Sequence, residues 1–167
     1  MKTLYIVRHA KSSWAESDLS DFERPLNDRG KRDAPRMGKR LKEKDFHPDL
    51  ILSSPAKRAF STAKRICKAI DYKKDLIKTD KRLYHADEEL IMTVLHEIKQ
   101  KYQVVMLVGH NPGLTDFVNA LSMDHIDIDN IPTCGIVAFS FQTDNWRDIG
   151  WGSGEFLFFD FPKSRDD

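Results

Sequence analysis

Cysteine is scarce in this chain: Cys67 and Cys134 are the only two among 167 residues. Two thiols at that spacing build neither a disulfide framework nor a four-cysteine zinc site, so a reducing compartment is expected and each cysteine is read as a small buried hydrophobe. Glycine and proline are few as well, eight and seven, which excludes collagen-like and low-complexity disordered classes. Long apolar runs are missing. Leu4-Tyr5-Ile6-Val7 stops at Arg8, shorter than a signal-peptide apolar region, and nowhere do about 18 apolar residues run together. No membrane association and a cytoplasmic location are the expectations. An excess of either charge is also absent. Lys plus Arg number 27 against 26 Asp plus Glu, a formal +1, which argues against a nucleic-acid or membrane-surface binder that works by bulk positive field.

What is present is 40% apolar residues, enough for a core, in a length that matches about one domain of roughly 150 residues. No repeat, linker or low-complexity segment interrupts it, so residues 1–167 are read as one domain. Nothing in the sequence fixes the oligomeric state, and a monomer is favoured. Apolar runs rich in β-branched residues at Thr3–Val7, Leu50–Leu52 and Val104–Val108 are each followed by a polar or Gly/Pro-containing turn and then by helical periodicity. That alternation predicts βα units, a mostly parallel sheet and a three-layer α/β/α fold.

Helices are expected over about Asp28 to Lys44, with Asn27 or Asp28 as N-cap, after Pro55, from about Asp87, and from about Pro112. The second carries Ala56, Ala59, Phe60, Ala63, Ile66, Cys67 and Ile70 on one inward stripe, and the cations from Lys31 to Lys44 read as a mostly solvated face. Beyond Gly135 three strands are expected, Ile136–Phe141, Arg147–Trp151 and Glu155–Phe161, giving a C-terminal β-hairpin on the sheet.

Ligands of open α/β sheets bind beyond the carboxyl ends of the strands. Three such ends here carry cationic or imidazole side chains: Arg8-His9, Ser53-Ser54-Pro55-Ala56-Lys57-Arg58, and Gly109-His110-Asn111-Pro112-Gly113. If those strands are neighbours, two arginines and two histidines converge. Guanidinium forks suit a group with several oxygens and delocalised negative charge, and the following helices offer free N–H groups to an anion. Phosphate fits that description.

These residues, together with Arg24-Pro25-Leu26, Arg29-Gly30 and Thr62-Ala63, resemble the histidine phosphatase superfamily, the phosphoglycerate mutase-like fold. The short length, the start Arg8-His9-Ala10-Lys11-Ser12-Ser13-Trp14, Leu83-Tyr84-His85-Ala86 and Gly109-His110-Asn111-Pro112-Gly113 look most like its SixA-type phosphohistidine phosphatases. The match covers most of the chain in the same order. The resemblance implies a metal-independent phosphatase without cofactor. His9 would be the nucleophile that becomes phosphohistidine, and Arg8, Arg58 and His110 would hold the phosphoryl oxygens, with Ser12 as a further phosphate donor. A nucleophilic imidazole must be neutral at the attacking nitrogen, which two fixed positive charges favour, and its other nitrogen must donate, a backbone carbonyl being the natural acceptor. His110 is expected in the opposite protonation state, donating to the phosphoryl group.

Two departures matter. Mutases and many phosphatases of the superfamily carry a glutamate that protonates the leaving group; here His85 stands at about that place, either as a general acid or as an exposed loop histidine. Ala10 replaces a glycine common after the Arg-His pair. The first departure favours leaving groups that need little protonation, such as the imidazole of phosphohistidine. The partner expected is therefore a phosphorylated protein or small phosphorylated molecule, with a small-metabolite phosphomonoesterase and a non-catalytic phospho-group binding module as the alternatives. His47, His96 and His125 are read as surface residues, and no His/Cys/Asp set has zinc-ligand spacing.

Overall fold

A computed structural model describes all residues from Met1 to Asp167. The elements are β1 (Lys2–Arg8), α1 (Asp28–Glu43), β2 (Leu50–Ser53), α2 (Lys57–Ile70), β3 (Lys78–Thr79), α3 (Glu88–His96), β4 (Val104–Gly109), α4 (Gly113–Leu121), β5 (Ile136–Phe141) and β6 (Glu155–Asp160), with short 3-10 turns between several of them. The strands form one sheet in the order β3-β2-β4-β1-β5-β6. β1, β2, β3 and β4 run parallel; β5 is antiparallel to β1 and β6 to β5. This is the expected α/β architecture, and β4 lies between β1 and β2.

Alternation along the strands supplies both faces, as a sheet covered on two sides requires. Leu4 and Ile6 of β1 and Val105 and Leu107 of β4 meet Ile91, Val94 and Leu95 of α3 and Leu114, Phe117 and Leu121 of α4. Val7, Met106, Val108 and Ile51 point the other way, onto Ala34, Met37 and Leu41 of α1 and Ala59, Ala63 and Ile66 of α2. α1 and α2 come close enough that a Cβ on Gly38 would lie 2.7 Å from the Ala69 Cβ.

Three local expectations are corrected. Arg147–Trp151 is not a strand: Trp146–Asp148 forms a 3-10 turn, because Trp146 is fully buried with its indole N–H donating to the Tyr102 carbonyl (2.7 Å) and Ile149 packs into the same core. β5 and β6 still pair antiparallel across this excursion, with a bulge at Ala138/Phe139. Phe60 is half-exposed, lying under Lys64, while Arg58 and Thr62 take buried positions on α2. On α1, Arg40 is buried rather than solvated; its guanidinium donates to the Phe161, Pro162 and Arg165 carbonyls and to Asp160 and Asp167, which fastens the C-terminal tail to the helix.

Candidate active site

The parallel register places the strand ends side by side: Arg8 pairs with Gly109 and Ser53 with Val108. The next residues, His9, His110 and Ser54, therefore leave the sheet at one level. Arg8, His9, Ser12, Arg58, His85 and His110 line a single cleft of about 300 Å³, with Lys11, Trp14, Asp21, Arg24, Asn111 and Thr133. All six side chains singled out from the sequence are in it.

The turn after β1 is held on every side. His9 N–H donates to the Gly109 carbonyl (3.1 Å), and Cys134 N–H, in a left-handed residue at φ 61°, donates to the Arg8 and His9 carbonyls. Ala10 N–H donates to Thr62 Oγ1 (2.9 Å), whose hydroxyl donates to the Arg58 carbonyl (2.7 Å), so α2 and the turn are tied together. Ala10 is fully buried and fits where the family often has glycine. Two glycines press neighbouring loops into place: a Cβ on Gly30 would stand 2.2 Å from the Lys11 carbonyl oxygen, and one on Gly113 1.9 Å from that of Ala86.

His9 is buried, and its Nδ1–H donates to the Ala10 carbonyl at 2.8 Å. Nε2 is left as the unprotonated nitrogen. Burial, then the charges of Arg58, Arg8 and Arg24, push its pKa down to about 4 against the opposing pull of the Ala10 bond, so at neutral pH the ring is an uncharged nucleophile. The rings of His9 and His110 lie 5.2 Å apart.

His110 corrects the expectation of opposite protonation. Burial together with His9, Arg58 and His85 pushes its pKa down to about 3, and it too is neutral in the free protein. Its Nε2 meets Ser54 Oγ at 2.8 Å. That buried hydroxyl also accepts from Ala56 N–H (3.2 Å), and with one hydrogen and a second lone pair it pairs with either tautomer of His110. Nδ1 of His110 and Nε of Arg8 and of Arg58 are buried with no hydrogen-bond partner in the protein.

Sequence reading missed the residue that organises the mouth of the cleft. Asp21 Oδ2 accepts from Tyr84 Oη (2.6 Å) and Arg58 Nη2 (3.0 Å) and lies 3.3 Å from His85 Nε2; its carbonyl accepts from Arg58 Nη1 (2.6 Å) and Oδ1 from Arg24 Nε (3.2 Å). Tyr84, Arg58 and Arg24 hold the carboxyl well below the usual carboxylate range. Asp21 sits in a 3-10 turn with no periodicity around it; the one available signal was that clustered arginines need a counter-charge. Arg24 also donates to Ser12 Oγ (3.0 Å) and stacks on Trp14, 3.4 Å from the ring centroid. His85 adopts φ 59°, stacks on Tyr84 at 4.0 Å and is exposed at the rim, 5.9 Å from the His110 ring.

The family model described as histidine phosphatase superfamily (branch 1) matches residues 4–87, half the chain. The chain belongs to the histidine phosphatase superfamily. Its likeness to solved structures extends over the remainder: a structure assigned to the phosphohistidine phosphatase SixA of Agrobacterium tumefaciens superposes with a TM-score of 0.78 at 28% identity, covering 96% of this chain and 98% of that one. The protein histidine phosphatase SixA complexed with tungstate shares the fold at TM-score 0.81 and 20% identity, covering 96% and 97%. Among curated sequences, an uncharacterized chloroplastic protein of Arabidopsis thaliana is 28% identical over 155 residues, 88% of this chain and 70% of its own length. No helix of this superfamily member is long and apolar enough to cross a membrane.

Proposed function

We propose that this superfamily member is a phosphohistidine phosphatase that works through a covalent intermediate on His9. The observation that carries the reading is the fixed tautomer of His9: Nδ1–H is spent on the Ala10 carbonyl, leaving Nε2 bare among Arg8, Arg58 and His110. In the first step Nε2 attacks phosphorus, the bond from phosphorus to the leaving nitrogen breaks, and the leaving imidazole takes a proton from solvent water at the open cleft. In the second step water attacks phospho-His9, inorganic phosphate leaves, and the Nε2 lone pair is restored. Arg8, Arg58, His110 and the Ser12 hydroxyl supply donors for three charged oxygens, and phosphoryl transfer asks for little more than such positioning and charge stabilisation. No metal enters either step.

The leaving-group side favours P–N over P–O substrates. Asp21 is held ionised by its partners and carries no proton to give, and no glutamate lines the cleft. An alkoxide needs a proton in the transition state, whereas imidazole leaves readily. A phosphomonoesterase is the second reading, favoured by the His85 contact with Asp21, which holds an imidazole nitrogen at the rim of the cleft, at about the place where the superfamily's glutamate would stand.

The test compares phosphoramidate, a histidine-phosphorylated carrier protein, para-nitrophenyl phosphate and a simple alkyl phosphate, with EDTA present. Turnover of the two P–N compounds, with phospho-His9 trapped by alkaline quench and absent from His9→Ala, is the expected result. Alkyl ester turnover that is at least as fast and collapses in His85→Ala would establish the phosphomonoesterase instead. Binding without phosphate release on any substrate would leave only a phospho-group binding module.

A further inference from the structure

The formal +1 of the whole chain conceals a strong local asymmetry. Residues 57–74 carry Lys57, Arg58, Lys64, Arg65, Lys68, Lys73 and Lys74 against Asp71 alone, a formal +6, while the other 149 residues sum to −5. Arg58 turns inward to the cleft. Lys64, Arg65, Lys68 and Lys74, with Ser61 and Tyr72, line a second hollow of about 550 Å³ on the outside of α2. None of these four cations pairs with a carboxylate, and Asp71 is taken by Lys42 at 2.8 Å.

This arrangement works against the helix that carries it. Lys64 and Lys68 are like charges four residues apart, and Lys57 lies in a first turn with no acidic residue, at the positive end of the helix dipole. Lys57, Lys64 and Lys68 are all exposed, and their spacing of seven and eleven residues puts them on one face. That row extends about 16 Å from the helix end that delivers Arg58.

We propose that the outer face of α2 is a docking surface for an acidic protein, which lays its negative surface along Lys57, Lys64 and Lys68 while its phosphorylated side chain enters the cleft. The inference rests on the phosphohistidine phosphatase reading, and adds that the partner is a protein and that it is acidic beside its phosphorylated residue. Clustered unpaired cations next to an open site raise the encounter rate of such a partner and lose that advantage in salt. A small substrate would not reach them.

The test uses the double variant Lys64→Glu/Lys68→Glu, neither residue lying in the cleft, and the milder Lys64→Ala/Lys68→Ala, both checked by circular dichroism. The probes are phosphoramidate, an acidic carrier protein phosphorylated on histidine, and the same carrier unphosphorylated. Charge reversal is expected to lower kcat/KM on the carrier by roughly tenfold or more at low ionic strength, mainly through KM. The alanine pair should give a smaller loss, the difference should fade in salt, and phosphoramidate turnover should be unchanged. Equal carrier turnover in all three proteins, or equal losses on carrier and phosphoramidate, would overturn the proposal. Binding of the unphosphorylated carrier keeps the two readings apart. If the wild type hydrolyses no P–N bond but binds the carrier in a salt-sensitive way that the Glu pair abolishes, the catalytic reading fails and the docking surface stands. Tighter binding of an RNA or DNA strand than of the acidic protein by this face would also overturn it.

Discussion

A histidine attacks phosphorus through a bare ring nitrogen, and one backbone carbonyl, that of Ala10, determines which nitrogen of His9 is bare. Burial, and after it the neighbouring cations, then keeps the ring uncharged. Arg58 has the harder geometry: both its terminal nitrogens are held by Asp21, through the carbonyl and through Oδ2. It is positioned before any substrate arrives, and preorganised charge of this kind is where phosphoryl transfer gains most. Arg58→Ala is expected to keep the fold and lose about 10²- to 10³-fold in turnover, read as kcat on phosphoramidate beside an unchanged far-ultraviolet spectrum. Near-full activity would remove Arg58 from the site. Arg8 and His9 were legible because they are adjacent at a strand end. Asp21, twelve positions beyond His9, was not, because only the path of an irregular loop brings it to Arg58, Tyr84 and His85.

At the scale of elements, parallel register aligns the ends of β1, β4 and β2, and close packing aligns the loops that follow. Apolar runs and helical stripes located these elements to within a residue or two; of the two N-cap candidates for α1, Asn27 and Asp28, it is Asn27 that accepts from Gly30 N–H. The exception, Arg147–Trp151, shows the limit of period two as a signal: one indole with a buried hydrogen-bond partner bends the chain into a turn. Gly113 illustrates packing that no pattern reveals. α4 begins against the Ala86 carbonyl, where a methyl group would stand 1.9 Å away, so Gly113→Ala must displace either the helix or the segment that carries Tyr84 and His85. The expected cost is about 1–3 kcal/mol, an overpacking penalty, seen as a Tm several degrees lower. A Tm equal to the wild type would mean that this contact is not constraining.

Over the whole molecule, burial of two histidines beside arginines links the site to stability. Both have folded pKa values below the unfolded value of 6.5, His9 at about 4 and His110 at about 3. Below pH 6.5 the unfolded chain therefore binds more protons than the folded one, and stability falls with pH down to about 3, at up to about 1.4 kcal/mol per pH unit for each histidine. Above 6.5 both are neutral in either state and contribute no slope. Urea midpoints measured from pH 7.5 to 5 should drop on the acid side, and the double variant His9→Gln/His110→Gln should flatten that drop. An unchanged slope would show that these rings do not titrate as described. The tail latch at Arg40 is likewise a property of the whole chain, since its acceptors lie more than a hundred residues away.

The sequence by itself determined the α/β layering, the helix stripes and the strand ends that carry Arg8, His9, Arg58 and His110, because those follow from periodicity and from adjacency along the chain. The tertiary structure alone decided that β4 lies between β1 and β2, that Asp21 and Ser54 orient Arg58 and His110, that His110 is neutral as well as His9, and that the cations of α2 gather on one open face. Those outcomes depend on distances between residues far apart in sequence and on the desolvation that packing imposes. Scarce cysteine and balanced charge excluded whole classes of function, but only the fold located the charge that a near-zero sum had hidden.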